Sequence, residues 1–173
     1  MRAKHKLKPE DVKSVTALVG ERPIAVVCEP EADKRRPKNS YEAQFSVHYI
    51  VAAALARGRF TLDELDASAY TDPAILSLCD RVAYKPDPAM NSLRYYSGGV
   101  VIETADGRTL EHREMHNRGS DANPLSAADI EAKYWSNATR AVGRDRAQRV
   151  LDAVMGLDKA NDLRVLGDAL CLA

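Results

Sequence analysis

The apolar residues of this chain fall into runs, alternations and helical stripes, and each spacing predicts a different element. Val12, Val15, Ala17, Leu18 and Val19 form a β-leaning run that Gly20 ends, read as a strand because branched side chains suit a pleated, half-buried surface. A second run, residues 24–28 between Pro23 and Pro30, also reads as a strand, with proline at its margins. Residues 30–40 carry two prolines and the cluster Lys34, Arg35, Arg36 and Lys38, and read as a solvated loop, the longest irregular stretch of the chain. From Phe45 to Arg57 the sequence is nearly all apolar, with alanine and leucine that favour helix and Gly58 as a stop. Residues 42–49 alternate polar and apolar, which is a strand signal. A helix from about Gln44 is preferred, because the alanine run downstream needs a nucleus. A helix apolar on every side belongs in the middle of a protein.

Further along, Asp72 and Pro73 supply an N-cap and a first helical residue. Residues 82–85 read as a short strand and residues 86–93 as a loop. Residues 99–104 and 108–115 around Asp106-Gly107 read as a hairpin. Ser126 with Asp129 approximates a capping box. Three stripes at helical spacing follow, on Ile130, Tyr134, Ala138 and Ala141, on Ala147, Val150, Leu151, Val154 and Met155, and on Leu163, Leu166 and Leu170. Helices and hairpin strands mix without strict alternation. The expected fold is therefore α+β, a two-layer sandwich with a largely antiparallel sheet and helices on one face. One domain is expected over residues 1–173, with residues 1–9, which hold Arg2, Lys4, His5, Lys6 and Lys8, as a basic, solvated lead-in.

Composition narrows the classes. The 173 residues are 45% apolar and 29% charged, as in ordinary globular proteins. Lys plus Arg and Asp plus Glu are 25 each, a balance that argues against nucleic-acid binding, which needs surplus cations. No run approaches the ~18 apolar residues of a membrane span, so no membrane partner is expected. Cys28, Cys79 and Cys171 are odd in number and far apart, which suits a reducing, cytoplasmic setting rather than a disulfide scaffold. There is no phosphate-binding glycine loop and no nucleophile elbow. His112, Glu114 and His116 would share one face of a strand, which makes a metal site conceivable. Their spacing is not that of a zinc protease, and a solvated strand end is the better reading.

The head of the apolar helix is chemically unusual. Gln44, Ser46, His48 and Tyr49 place four hydrogen-bonding side chains ahead of a segment that must be buried. Two readings stand open. In one, these groups bond neighbouring backbone and close the core, as buried polar groups usually do. In the other, they wall a pocket for a small anion, helped by the free N–H groups and positive end of the helix.

Ala43-Gln44-Phe45-Ser46, Tyr49, the run from Val51 to Leu55, and Gly58 resemble the central helix of the C-terminal domain of the MmgE/PrpD family. That family includes 2-methylcitrate dehydratase, cis-aconitate decarboxylase and iminodisuccinate epimerase. Asp72-Pro73 with Leu78 and Arg81-Val82, then Asp106-Gly107, then Asn123-Pro124-Leu125-Ser126 with Lys133-Tyr134 follow in the family's order. The resemblance spans Pro9 to Leu170. It implies a metal-free acid–base lyase or isomerase with no cofactor, acting on small di- or tricarboxylates. It also implies that a large helical domain and a lysine-containing segment, neither of which is in this chain, supply much of the site. The one catalytic residue it carries over is Tyr49; Gln44, Ser46 and His48 are added as substrate-binding candidates from helix geometry, and His48 stands where the family usually has proline. Tyr49 is expected to present its hydroxyl to a pocket or an interdomain surface. A homodimer or a separately encoded helical domain is the expected partner. The alternative function is a non-enzymatic binding or interaction module derived from the family.

Overall fold

The computed structural model describes residues 1–171, which fold as two compact units, residues 1–123 and residues 124–171. In the first unit, β1 (Val12–Val19), β2 (Val82–Pro86), β3 (Gly98–Thr104) and β4 (Thr109–Glu114) form one sheet in the order β2-β1-β3-β4. The β1–β3 and β3–β4 pairs are antiparallel, and β2 runs parallel to β1 with Val15 opposite Val82. A parallel neighbour needs a long crossover. Residues 20–81 provide it, with α2 (Ile24–Val27), α3 (Glu31–Arg35), α4 (Ser40–Gln44), α5 (Val47–Arg57), α6 (Ala67–Tyr70) and α7 (Pro73–Cys79); a single turn, α1 (Arg2–His5), precedes β1. The main core joins Val12, Val15, Val82 and Ile102 of the sheet to Tyr49, Ala52, Ala53 and Leu55 of α5 and Ile75 and Leu78 of α7. The α+β architecture expected from the sequence is the one observed.

Local chemistry explains most of the boundaries. The β3–β4 turn holds Gly107 at φ +85°, a conformation that favours glycine, and Thr104 Oγ1 accepts from Arg108 N–H at 3.0 Å. Asp72 accepts from Ala74 N–H at 2.9 Å at the start of α7. In the second unit, α8 (Ala127–Ala141) begins with the reciprocal pair expected of Ser126 and Asp129. It is followed by α9 (Arg144–Met155) and α10 (Arg164–Leu170). Tyr134 O–H donates to the Ala147 carbonyl at 2.7 Å, and Ala147 is fully buried.

Four expectations are corrected. Residues 24–27 are helical, not a strand. β2 and β3 already occupy both edges of β1, so the short run packs Ile24, Val27 and Cys28 against Ala17 and Val19 instead. The supposed loop at 30–40 contains α3, and its basic cluster is largely a clamp. Lys34 Nζ donates to the carbonyls of Val26 and Phe45, Arg35 to that of Cys79, and Arg36 forms a two-pronged pair with Asp80 at 2.8 Å. The lead-in is not wholly solvated, since residues 2–5 make a helical turn, Leu7 is buried and Met1 packs on the core. Finally, the chain breaks at Phe45, so the apolar helix begins at Val47 and Gln44 belongs to α4.

Candidate functional site

Three of the four sequence candidates meet at the head of α5, and the break at Phe45 separates the fourth. Gln44 is exposed at the end of α4. Ser46 is the N-cap of α5. Its Oγ accepts from Tyr49 N–H at 3.0 Å and donates to the Lys34 carbonyl at 2.5 Å, so it ties α5 to α3. Tyr49 is completely buried; its hydroxyl donates to the Glu64 carbonyl at 2.5 Å and its ring lies edge-on to Phe60. The expectation of a free hydroxyl facing a pocket is thereby corrected: the loop after α5 returns a carbonyl to it. Burial, only partly offset by Arg57, pushes the Tyr49 phenol up to about 12. At neutral pH it is a proton or hydrogen-bond donor and not a base.

His48 is fully buried between α3 and β2. Its Nε2 lies 3.3 Å from Glu31 Oε1 without the alignment of a hydrogen bond, and neither ring nitrogen has a hydrogen-bond partner among the described residues. Its ring stands edge-on to Tyr84. Burial, reinforced by Arg35, lowers its pKa against the opposing pull of Glu31, which keeps the imidazole neutral.

Glu64, which no sequence pattern singles out, is the buried carboxylate beside Tyr49. It accepts from Thr61 N–H at 2.7 Å and Thr61 Oγ1 at 2.9 Å, and Arg59 Nε lies 3.3 Å away. Burial raises its pKa, but the Thr61 and Arg59 contacts outweigh that and hold it below the usual carboxylate range. The head of α5 is thus a closed polar network in which Ser46, Tyr49 and Glu64 are all bonded. The buried thiols of Cys28 and Cys79 are pushed up by burial to about 11 and about 12, which leaves them unreactive. His112, Glu114 and His116 are exposed, and among the described residues no group of three potential metal ligands forms.

An open concavity of this unit lies elsewhere, at the C-terminal end of β1. A cleft of about 710 Å³ opens between the turn at 20–23 and the loop at 90–97, lined among others by Arg22, Arg94, Tyr95 and Tyr96. Sequence reasoning missed it. The available signal was Arg94-Tyr95-Tyr96, an aromatic and cationic triplet lacking any helical or strand period, set before Gly98-Gly99. Among the described residues no helix is long and apolar enough to cross a membrane.

Comparison with known proteins identifies the framework. A family model for the MmgE/PrpD C-terminal domain matches residues 1–159. The chain is 27% identical over 136 residues to a cis-aconitate decarboxylase-like protein of Aspergillus oryzae, an alignment covering 78% of this chain and 28% of that protein. It is 29% identical over 134 residues to the cis-aconitate decarboxylase of Homo sapiens, covering 75% of this chain and 27% of the relative. The Mus musculus cis-aconitate decarboxylase is 27% identical over the same length of 134 residues. The chain therefore spans little more than a quarter of the length of these curated relatives. Since the family model covers nearly the whole chain, and the hairpin, the capped helices and the buried helix occur where its resemblance places them, the chain belongs to the MmgE/PrpD family through that family's C-terminal domain.

Proposed function

We propose that this chain serves as the C-terminal domain of a lyase or isomerase that performs acid–base chemistry on small di- or tricarboxylates, and that the chemistry needs a helical domain to complete the site. The observation that carries this reading is the family match over residues 1–159, supported by relatives named for the decarboxylation of cis-aconitate. Acid–base chemistry next to a carboxylate needs a base, an acid and groups that hold the carboxylates. The head of α5 offers one suitable acid. Tyr49, protonated at neutral pH, gives a hydrogen bond or a proton once its bond to the Glu64 carbonyl is exchanged for one to substrate. Ser46 ties that helix head to α3, His48 packs beside it, and Gln44 stands nearby on the surface. The base and the remaining carboxylate-binding groups come from the helical domain, encoded separately or as another part of the same protein.

The test is Tyr49→Phe in a reconstituted pair of this chain and a family helical domain, assayed with 2-methylcitrate, cis-aconitate and iminodisuccinate. Turnover is expected to fall about 100-fold with the fold intact, the size typical of a lost acid–base group. An unchanged rate would remove Tyr49 from the chemistry.

A specific observation favours a second reading. The hydroxyls of both Ser46 and Tyr49 are spent on internal carbonyls, as in a domain kept for binding rather than chemistry. Light scattering over a dilution series, with and without the helical domain, separates the two. A heteromeric complex supports the enzyme, whereas a homodimer indifferent to the helical domain supports the module.

A further inference from the structure

The cleft at the end of β1 is a built feature of the first unit. Asp87 N–H donates to the Val19 carbonyl at 2.9 Å, and Glu21 N–H to Asn91 Oδ1 at 2.8 Å. Gly20 passes so close to the loop that a Cβ there would sit 2.8 Å from the Met90 carbonyl oxygen. On its other side the loop is fastened beyond β4. Tyr96 N–H donates to Asn117 Oδ1 at 3.1 Å, Ser97 Oγ to the Met115 carbonyl at 2.7 Å, and the Tyr95 ring stands edge-on to His116. A loop tied this firmly nevertheless holds Leu93 and Tyr96 at 85% and 86% exposure. Single exposed apolar residues need no explanation, but two on one fastened loop over a cavity point to an occupant.

The charges and donors around the cleft define that occupant. Arg94 is paired with Asp121 and its guanidinium lies 5.4 Å from the centre of the Tyr95 ring. Arg22 has no hydrogen bond or ion pair among the described residues, so one guanidinium fork lines the cleft unused. A phosphate cradle would need several free backbone N–H groups. Here four of the lining N–H groups are already spent: Glu21 N–H on Asn91, Arg94 and Tyr95 N–H on Ser92 Oγ, and Tyr96 N–H on Asn117. What remains is one planar cation beside two aromatic rings, in a volume that suits a small molecule. We propose that this cleft binds a small carboxylate with a planar, unsaturated body, its carboxylate on Arg22 and its body against Tyr95 and Tyr96. Glu21 also lines the cleft, and its carboxylate opposes the anion.

The test is amide NMR on the 173-residue chain, titrated separately with cis-aconitate, benzoate and inorganic phosphate. The choice of cis-aconitate rests on the function proposed above, whereas benzoate is foreign to it. Saturable shifts at residues 20–23 and 91–97 are expected with both carboxylates, with dissociation constants on the order of 1 mM. Arg22→Ala should weaken binding about fivefold or more, and Glu21→Gln should tighten it. Both side chains are exposed, so the variants should keep the fold. No saturable shift, shifts untouched by Arg22→Ala, or phosphate binding as tightly as the carboxylates would overturn the proposal. Binding of benzoate without cis-aconitate would keep the cleft and count against the family acid. Binding that persists where the reconstituted pair fails to turn over would count against the enzymatic reading alone.

Discussion

The helix α5 and the helices of the second unit show what an apolar pattern does and does not determine. α5 is apolar on almost every side and buries Tyr49, Ala52, Ala53 and Leu55 in the core it shares with the sheet and α7, and His48 between α3 and β2. α8 is longer and carries a regular stripe, yet it contains no buried residue, and on α9 Val154 and Met155 remain 46% and 74% exposed. Helical spacing therefore fixed the element type in both regions, whereas burial followed from what packs around it. In the first unit a sheet and a second helix surround α5. In the second unit Ala147 is the one buried residue among those described.

Breaking the core of the first unit should have the largest effect. Ile75 is fully buried against α5, and Ile75→Ala should cost about 2–5 kcal/mol in urea denaturation. Val154→Ala in the second unit should change stability by less than about 0.5 kcal/mol. Comparable losses at the two sites would erase the contrast drawn here.

The clamp at the head of α5 should come next. Lys34→Met removes the donor that Val26 and Phe45 share, and an expected cost of about 1–3 kcal/mol should appear in the same denaturation series. His48 should then give the first unit a pH signature. Its folded pKa lies below the ordinary 6.5, so the unfolded chain binds the extra proton first. The stability from keeping His48 neutral is complete above about pH 6.5 and is lost as the pH falls from there toward the folded value. His48→Gln should flatten stability over that window. The carboxylates with lowered folded values, Glu31, Glu64, Asp80 and Asp87 among them, act at lower pH, as the solution falls below their ordinary range. A His48→Gln profile that still falls just below pH 6.5 would assign the effect to another group.

Ser126→Ala should give the smallest effect, about 1 kcal/mol, through loss of the α8 cap. Faster hydrogen exchange confined to the first turn of α8 would confirm that the second unit responds locally.

Much of the fold was legible because its signals are local. Asp72-Pro73, Asp106-Gly107 and Ser126 with Asp129 each satisfy their own turn or helix end within a few residues. The misread segments depend on distant partners. α2 packs on Ala17 and Val19 of β1, whose neighbour in the sheet is β2, a strand from far along the chain. α3 is held by Arg35 reaching Cys79, 44 residues away. The candidate site divides in the same way. That Ser46, His48 and Tyr49 gather at one helix head followed from their spacing. That Tyr49 bonds the Glu64 carbonyl did not, because the loop bringing Glu64 back lies beyond the periodic segment. Gln44 separated from the group because Phe45 ends one helix before Ser46 caps the next.

The central claim is that the polar head of α5 is one part of a lyase site whose chemistry requires a helical domain. Turnover of cis-aconitate by the purified chain, alone and then mixed with a family helical domain, tests this most directly. The account predicts no detectable turnover by the chain alone and measurable turnover by the mixture. Robust turnover by the chain alone would contradict it.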